Sequence, residues 1–262
     1  MTASTIVLIT GVSRGIGKTL AETYLLRPNH IVIGSVRDKT ASNARSLAIL
    51  PAAKGSRMHL IQIESTSSTD PANAVKELEA AGIDHIDVVI ANAGGAGDKG
   101  IIPLDVVDVN AVTDLFKVNT IGPLMLYQAV RPLLEKSRVP KWVSVTSAAG
   151  SIGNLEIFKA HVAPAYGIAK AGLNWVTVYP RLNFSIDRAA HSANKWLIAF
   201  AVHPGLVQTD GGNRAAQAMG LQQAPHTMQQ SATAIIGLID NATREKTSSK
   251  FFNVIDGTEI PW

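Results

Sequence analysis

The sequence predicts an α/β fold in which a doubly wound, parallel sheet of about seven strands carries helices on both faces within a single domain, residues 1–262. Short runs of apolar and β-branched residues alternate with helix-like stretches along the whole chain. The length of 262 residues suits one large domain, and 46% apolar residues suffice for its core. No repeat, low-complexity linker or second-domain signal interrupts the alternation. We therefore expect ligands at the carboxyl ends of the strands.

Composition excludes several classes of function. The chain contains no cysteine, which excludes disulfides, thiolate metal sites and a cysteine nucleophile, and we expect no metal. The net charge of +4 comes from scattered lysine and arginine residues, so we expect attraction for anionic small molecules and no nucleic-acid partner. No membrane association is expected, because no apolar run reaches the roughly 18 residues of a membrane span. With no signal-peptide pattern before the first strand, the expected location is cytoplasmic.

The first strand, turn and helix have the pattern of a phosphate-binding unit. Residues 6–9 form a buried-strand run, residues 10–17 a glycine-rich turn, and residues 18–26 a helix. Glycine lets the backbone approach an anion, and a helix N-terminus presents free N–H groups to it. This is the context that a dinucleotide-binding fingerprint requires. The residues expected at the cofactor are Gly11, Ser13, Arg14, Gly15, Ile16 and Gly17.

The end of the second strand, residues 30–36, indicates which dinucleotide binds. In NAD-specific sites an acidic residue here binds the ribose 2′-hydroxyl, whereas this chain has Val36 followed by Arg37. Arg14 is expected nearby, and two positive charges without an acid favour the 2′-phosphate of NADP(H). The alternative is that Arg37 is simply solvated. Asp38 would weaken phosphate binding if it pointed the same way.

The third and fourth strands, residues 57–63 and 86–91, bring further groups to the same edge. Glu64 follows the third strand, where its side chain could accept a hydrogen bond from an adenine ring or be an ordinary strand-end carboxylate. A helix over residues 71–81 separates the two strands. The residues after the fourth strand either suit a cofactor packed against backbone or form a plain turn. They are Asn92, Ala93 and Gly94.

Residues 105–136 are predicted to be mainly helical, with a bend at Pro123. Asn119 is a polar residue within this apolar stretch, and a buried amide needs hydrogen-bond partners. It could bind a backbone carbonyl and a water that leads toward Lys170. Alternatively, it merely bends the helix.

The stretch from Ser147 to Lys170 carries the candidates for proton transfer. Ser147 follows the fifth strand, residues 142–146, and Tyr166 stands four residues before Lys170 in a predicted helix, so both side chains lie on one face. A nearby ammonium favours the phenolate, so the pair can donate or accept a proton near neutral pH. Taken alone, this spacing also fits the start of any amphipathic helix.

The last third of the chain completes the sheet and supplies a lid. Pro180 is predicted to kink the helix or end it early. The sixth strand, residues 196–202, precedes Thr209, which could bind a carboxamide or cap a helix. Glycine, alanine and glutamine residues make 211–230 a flexible segment of the kind that forms lids. A helix over 231–241 and a strand over 251–255 follow.

These motifs, in this order and spacing, resemble the classical short-chain dehydrogenase/reductase family over essentially the full length. The match consists of Thr10-Gly11-x-x-x-Gly15-Ile16-Gly17, Asn92-Ala93-Gly94, Asn119, Ser147, Tyr166-x-x-x-Lys170 and Pro204-Gly205 with Thr209. The resemblance implies a Rossmann-like fold and a nicotinamide cofactor. It also implies a catalytic tetrad of Asn119, Ser147, Tyr166 and Lys170. Further cofactor contacts are expected from Tyr166, Lys170, Pro204, Val207 and Thr209.

Within the family the chain is most similar to the subgroup that holds fungal norsolorinic acid ketoreductase and the sniffer-type carbonyl reductases. The similarity rests on Ser35-Val36-Arg37, Gly150-Ser151-Ile152, the insert before the tyrosine and the closing Asp256-Gly257-x-x-Ile260-Pro261-Trp262. There are three departures from the family pattern. Glu64 stands where the family usually has Asp, the loop at 151–164 is longer, and Pro180 interrupts a helix used for dimer packing. A homodimer or homotetramer therefore stays open.

The resemblance implies an NADPH-dependent reductase that transfers hydride to a ketone, with Tyr166 as general acid. Residues 6–150 would mainly bind the dinucleotide, and residues 151–164 and 205–230 would be the substrate loop and lid. An apolar substrate such as an aromatic polyketide fits six apolar side chains there, which are otherwise ordinary loop anchors: Ile152, Leu155, Ile157, Phe158, Met219 and Met228. The alternatives are alcohol oxidation, imine reduction or cyclisation on the same scaffold and, less expected, non-enzymatic NADP(H) sensing.

Overall fold

The computed structural model describes residues 4–97, 102–182 and 196–262. The first three residues, which belong to the stretch searched for a signal peptide, lie outside these ranges. Seven strands form one sheet, in which each neighbouring pair is parallel. They are β1 (Thr5–Thr10), β2 (His30–Val36), β3 (Arg57–Gln62), β4 (Val88–Ala91), β5 (Lys141–Val145), β6 (Ile198–His203) and β7 (Phe251–Asn253).

The helices connect successive strands. They are α1 (Gly15–Leu25), α2 (Ser42–Leu47), α3 (Asp70–Ala80), α4 (Val109–Phe116), α5 (Gly122–Leu134), α6 (Pro164–Leu182), α7 (Asp210–Ala218), α8 (Met228–Asp240) and α9 (Arg244–Thr247). A π-helical turn, Lys117–Ile121, joins α4 to α5. None of the helices in the described ranges has the length and apolar character needed to cross a bilayer.

The strand order β3-β2-β1-β4-β5-β6-β7 confirms the predicted doubly wound sheet. The chain starts at β1, moves outward to β3, and then returns to the other side of β1 with β4. This reversal creates a switch point between β1 and β4, where open α/β sheets bind their ligands. The parallel strands read as continuous apolar runs because both faces of the sheet are covered.

Apolar residues of the helices cover both faces of the sheet. On one face α1 and α8 contact each other and contribute Leu20 and Ile235 to a core with the strands. On the other face α3 and α5 pack together and contribute Leu78 and Leu133. The sheet is therefore held rigidly between two apolar layers, which fixes the positions of its strand ends.

Three predicted features differ from the structure. The helix α6 does not end before Pro180, because it includes this residue and is described as far as Leu182; a kink at Pro180 stays a prediction. The segment 211–230 is partly helical: it holds most of α7 and the start of α8, each begun by a threonine cap at Thr209 or Thr227, and its flexibility and role as a lid stay predictions. The break in the long helix over 105–136 lies in the π-helical turn, and Pro123 occupies the first turn of α5, where proline fits.

Candidate active site

The residues expected to bind the cofactor and to transfer protons gather at the carboxyl end of the sheet. β2 ends just before Arg37, β4 before Asn92, and β6 before Pro204, while Ser147 lies two residues after β5. Because the strands are parallel, these ends share one edge of the sheet with the glycine-rich turn after β1. Groups far apart in the sequence therefore meet at the switch point.

The glycine-rich turn between β1 and α1 forms a tight cradle. Gly11 and Gly15 have φ angles of +73° and +61°, which favour glycine. A Cβ atom on Gly17 would overlap the carbonyl oxygen of Gly11 and the side-chain amide of Asn92. No side chain caps the first turn of α1, so its N–H groups are open to an anion. The cradle fits the pyrophosphate of a dinucleotide, and it also includes Ser13, Arg14 and Ile16.

Thr10 ties the end of β1 to the segment after β4. Its Oγ1 atom accepts hydrogen bonds from the backbone N–H groups of Asn92, at 3.0 Å, and Ala93, at 2.9 Å. The Asn92 Nδ2 atom donates to the Thr10 carbonyl oxygen at 2.9 Å. The Asn92 amide therefore joins two strand ends, and Ala93 and Gly94 continue beside the cradle. No sequence pattern assigned a role to Thr10, although its place as the last residue of β1 is a usable signal.

The two arginines expected at the 2′-phosphate have different surroundings. Arg37 lies exposed directly after β2. Arg14, also exposed, donates to Asp210 at 2.9 Å, so it links the glycine-rich turn to the start of α7. The Asp38 carboxylate accepts from the hydroxyl and the N–H of Thr40, which lower the pKa of Asp38. Asp38 is thus held by Thr40, and Arg37 is the better candidate for a phosphate.

Glu64 lies two residues after β3 and is half-buried. Among the described residues its carboxylate makes only long contacts, at 3.4 Å to the N–H of Thr66 and 3.5 Å to the Thr66 hydroxyl. The backbone N–H of Glu64 donates to Asp70 at 2.9 Å. Asp70 therefore caps the strand end, and both alternatives for the Glu64 carboxylate stay open.

Asn119 is completely buried in the π-helical turn and uses its amide on the backbone. Its Oδ1 atom accepts from the N–H of Gly95 at 3.0 Å, and its Nδ2 atom donates to the carbonyl oxygens of Gly95, at 3.1 Å, and Leu115, at 3.0 Å. A Cβ atom on Gly94 would lie 2.5 Å from Asn119 Oδ1 and 3.5 Å from Lys170 Nζ. Asn119 therefore binds backbone carbonyl groups, as one alternative expected, and holds the segment that lies against Lys170; the water that this alternative included stays a prediction.

Ser147, Tyr166 and Lys170 meet beside this segment. The Ser147 Oγ atom accepts from the N–H of Ala149 at 3.2 Å, at the start of a 3₁₀ turn. A hydrogen bond between Ser147 and Tyr166 lowers the pKa of the phenol, but burial raises it more, to about 12. The Lys170 Nζ atom donates to the Val145 carbonyl oxygen at 3.0 Å and lies 5.6 Å from the centre of the Tyr166 ring.

The pKa values of Tyr166 and Lys170 differ from the expectation that the Lys170 ammonium would have the largest effect on the Tyr166 phenol. Burial lowers the pKa of Lys170 to about 7, so near neutral pH this side chain is only partly charged. Burial also keeps the proton on Tyr166. Without bound ligands, Tyr166 is therefore a neutral phenol beside a lysine that titrates near neutral pH.

His203, the last residue of β6, joins this site without having been singled out in the sequence. Its Nδ1 atom accepts a hydrogen bond from the backbone N–H of Ala148 at 3.2 Å. Burial lowers the pKa of His203 to about 4; Asp256 raises the pKa and His226 lowers it, both with smaller effects. The neutral imidazole therefore supports the turn that begins at Ser147. Its position directly before Pro204 is the signal that marks it.

The residues after β6 are engaged in local structure. The Pro204 carbonyl oxygen accepts from the hydroxyl of Ser231 at 2.7 Å, and buried Val207 pairs with His226 through a β-bridge. Thr209 Oγ1 accepts from the N–H of Gly212 at 3.0 Å, which caps α7. The cap that was one alternative for Thr209 is therefore present. Its contact with a carboxamide stays a prediction.

The apolar residues predicted for a substrate pocket fall into two groups. Ile152 and Ile157 are each 74% exposed and Leu155 is 41% exposed. Phe158 instead packs on a buried cluster and is a loop anchor. Met219 and Met228, from the predicted lid, are half-buried. The loop at 151–164 therefore has an exposed apolar surface and a half-buried anchor.

Comparisons with known proteins identify related chains. A family model described as short chain dehydrogenase matches residues 5–220. The chain is 48% identical, over its full length and 99% of the relative, to a Neurospora crassa protein described as short-chain dehydrogenase srdF. It is 40% identical to the norsolorinic acid ketoreductase nor1 of Dothistroma septosporum, over 97% of this chain and 91% of that one. The NADPH-bound carbonyl reductase from chicken fatty liver shares the fold, with a TM-score of 0.82 at 24% identity, covering 100% of this chain and 96% of that one.

Proposed function

The chain belongs to the short-chain dehydrogenase family, and we propose that it is an NADPH-dependent ketoreductase acting on an apolar ketone. NADPH, when bound, supplies the hydride that reduces the ketone carbon. The cradle around Gly11 and Gly17 would hold its pyrophosphate, and Arg37 its 2′-phosphate. The NADPH-bound carbonyl reductase of the same fold supports this cofactor.

The observation that carries the proposal is that the phenol of the half-buried Tyr166 is hydrogen-bonded to Ser147 and keeps its proton, because loss of hydration raises its pKa to about 12. A phenol in this state holds its proton at neutral pH and can donate it to a developing alkoxide. Ser147 would hold the same oxygen and stabilise its charge. This pairing of a donor and a hydroxyl suits ketone reduction.

Lys170 and Asn119 would support Tyr166, the proposed general acid. Once Tyr166 has given up its proton, a positive charge on Lys170 would stabilise the phenolate, since the Nζ atom lies 5.6 Å from the ring centre. Lys170 would also bind the nicotinamide ribose. Because the Asn119 amide is bonded to Gly95 and Leu115, we infer that Asn119 fixes the backbone beside Lys170 rather than contacting substrate.

The proposed substrate is a ketone with a large apolar surface, such as an aromatic polyketide. Ile152 and Ile157 expose most of their side chains on the loop that follows Ser147, where they could cover such a molecule. The relatives described as norsolorinic acid ketoreductases support the same class of substrate. Cytoplasmic location and a homodimeric or homotetrameric state belong to the proposal as well.

The substitution Tyr166→Phe tests the proposal. It should leave NADPH binding intact, measured by the fluorescence of the bound nucleotide, and abolish NADPH consumption with a panel of aromatic ketones. Tyr24→Phe is a control for loss of a tyrosine hydroxyl, because Tyr24 is buried and its hydroxyl has no hydrogen-bond partner among the described residues. Ketone reduction retained by Tyr166→Phe would refute the assignment of the acid.

A further inference from the structure

We propose that the closing segment, residues 256–262, is a specificity-determining element that fixes the first part of the substrate loop, residues 151–158 (called the loop below), beside the catalytic groups. The inference rests on the proposed function, because it concerns which ketones that site accepts. The closing segment and the loop are separated by about a hundred residues in sequence, yet they contact each other through hydrogen bonds and a shared apolar core.

Backbone carbonyl groups of the closing segment bind the start of the loop. The Ser151 hydroxyl donates to the Pro261 carbonyl oxygen at 2.5 Å, and the N–H of Gly153 donates to the Trp262 carbonyl oxygen at 3.0 Å. Ser151 is 1% exposed, and its Oγ atom also accepts from the N–H of Asn154 at 3.2 Å. Breaking the contact would leave a buried hydroxyl without its acceptor, which is unfavourable.

An apolar core joins the two segments to β7. The Trp262 ring stacks on Phe251, which is fully buried, with ring centres 5.7 Å apart and planes inclined by 21°. Ile260, 3% exposed, lies in a buried cluster with Phe251, and Phe158 of the loop packs against that cluster. Each end of the loop therefore has its own attachment: hydrogen bonds at Ser151 and an aromatic anchor at Phe158.

The loop connects the closing segment to the catalytic site. It begins four residues after Ser147, and the Phe158 ring lies 6.3 Å from the ring of His203, the residue that supports the Ser147 turn. Directly after Phe158, Lys159 has a φ angle of +49°, in the left-handed region that residues other than glycine rarely adopt. Surrounding contacts must hold such a backbone, and Phe158, the residue directly before it, packs against the cluster that contains Ile260 of the closing segment.

The experiment compares three variants of the full chain. Trp262→Ala removes the stacking on Phe251, Trp262→Phe keeps an aromatic ring there, and Glu259→Gln is the matched control. Glu259 belongs to the same segment but pairs with Lys250 at 2.8 Å, away from the loop. The readouts are hydrogen exchange at Gly153 and Asn154, the KM for NADPH, and kcat/KM for a bulky and a small aromatic ketone.

Trp262→Ala should raise exchange at Gly153 and Asn154 and lower kcat/KM for the bulky ketone, each by about three- to tenfold. It should change the KM for NADPH by less than about twofold. Trp262→Phe and Glu259→Gln should change each of the readouts by less than about twofold. Unchanged loop exchange in Trp262→Ala would overturn the inference. So would faster exchange with unaltered preference between the two ketones.

Ser151→Ala provides a second route if Trp262→Ala fails to fold, because it removes the hydroxyl bound to Pro261 and leaves the stacking intact. Faster exchange at Gly153 with a shifted ketone preference supports the inference, and an unchanged loop overturns it. If the unaltered protein reduces no ketone, the proposed function fails separately. The exchange measurement then still decides whether the closing segment fixes the loop.

Discussion

The Nδ1 atom of His203 accepts a hydrogen bond from the backbone N–H of Ala148, the residue directly after Ser147. Nδ1 can accept only when it carries no proton, and burial, which lowers the pKa of His203 to about 4, keeps the imidazole neutral. A side chain at the end of β6 thus holds the turn at the end of β5 throughout the neutral pH range.

Replacing His203 should therefore impair catalysis more than cofactor binding. In His203→Leu we expect kcat for ketone reduction to fall about three- to tenfold, the value of one hydrogen bond that positions Ser147. In His203→Asn the amide oxygen can accept the same N–H group, so kcat should recover most of that loss. Steady-state kinetics with separate KM values for NADPH and ketone test this. Equal loss in both variants would contradict a positioning role.

Lys170 should make stability depend on pH. The unfolded chain keeps this proton up to about pH 10.5, whereas the folded protein releases it near pH 7. Between these values the unfolded state binds more protons, so the free energy of unfolding should rise with pH, by at most about 1.4 kcal/mol per unit. Urea unfolding of the cofactor-free protein at pH 7, 8 and 9 measures this, with Lys170→Met as the reference. A constant difference between the two proteins would argue against a lowered pKa.

Arg37 should set the preference for NADPH. Arg37→Ala is expected to raise the KM for NADPH about tenfold or more and leave that for NADH nearly unchanged, since a charge-assisted contact to phosphate is lost. Arg45→Ala, which removes another exposed cation nearby on α2, serves as the control. The comparison is the ratio of the two KM values. If that ratio moves no more than in the control, another group binds the 2′-phosphate.

Two glycine substitutions should have opposite effects on stability. Gly17→Ala places a methyl group against Gly11 and Asn92 and should destabilise the fold by about 1–3 kcal/mol while weakening NADPH binding. Gly237→Ala, in α8, meets nothing within 4 Å and should stabilise it by up to about 1 kcal/mol. Thermal unfolding compares the two. A neutral Gly17→Ala would mean that the turn has room to relax.

The fold and family could be predicted from local patterns. Buried parallel strands appear as apolar runs, so the doubly wound sheet follows from the alternation along the chain, and the resemblance to the family is confirmed by the matched family model. The contact between His203 and Ala148 spans 55 residues and depends on how β5 and β6 pair, which no local pattern encodes.

The protonation states of Tyr166 and Lys170 could also not be predicted from local sequence patterns. The spacing of Tyr166 and Lys170 correctly predicted that they share a helix and a face, but not that burial would outweigh their mutual attraction. The loss of hydration depends on everything packed around a group. Likewise, the composition of residues 211–230 did not predict the two helices that begin at the threonine caps Thr209 and Thr227.

The π-helical turn at Lys117–Ile121 contains one residue more than a regular α-helical path would need. Deleting Thr120 or Ile121 would let α4 run straight into α5 and would rotate α4, together with Asn119, by about 100° relative to α5. Asn119 could then no longer form hydrogen bonds with Gly95 and Leu115 at the same time. The number of residues in the π-helical turn therefore sets where Asn119 holds the backbone beside Lys170. A homologue with one residue fewer in this turn could keep every polar side chain of the site and still have Asn119 out of position.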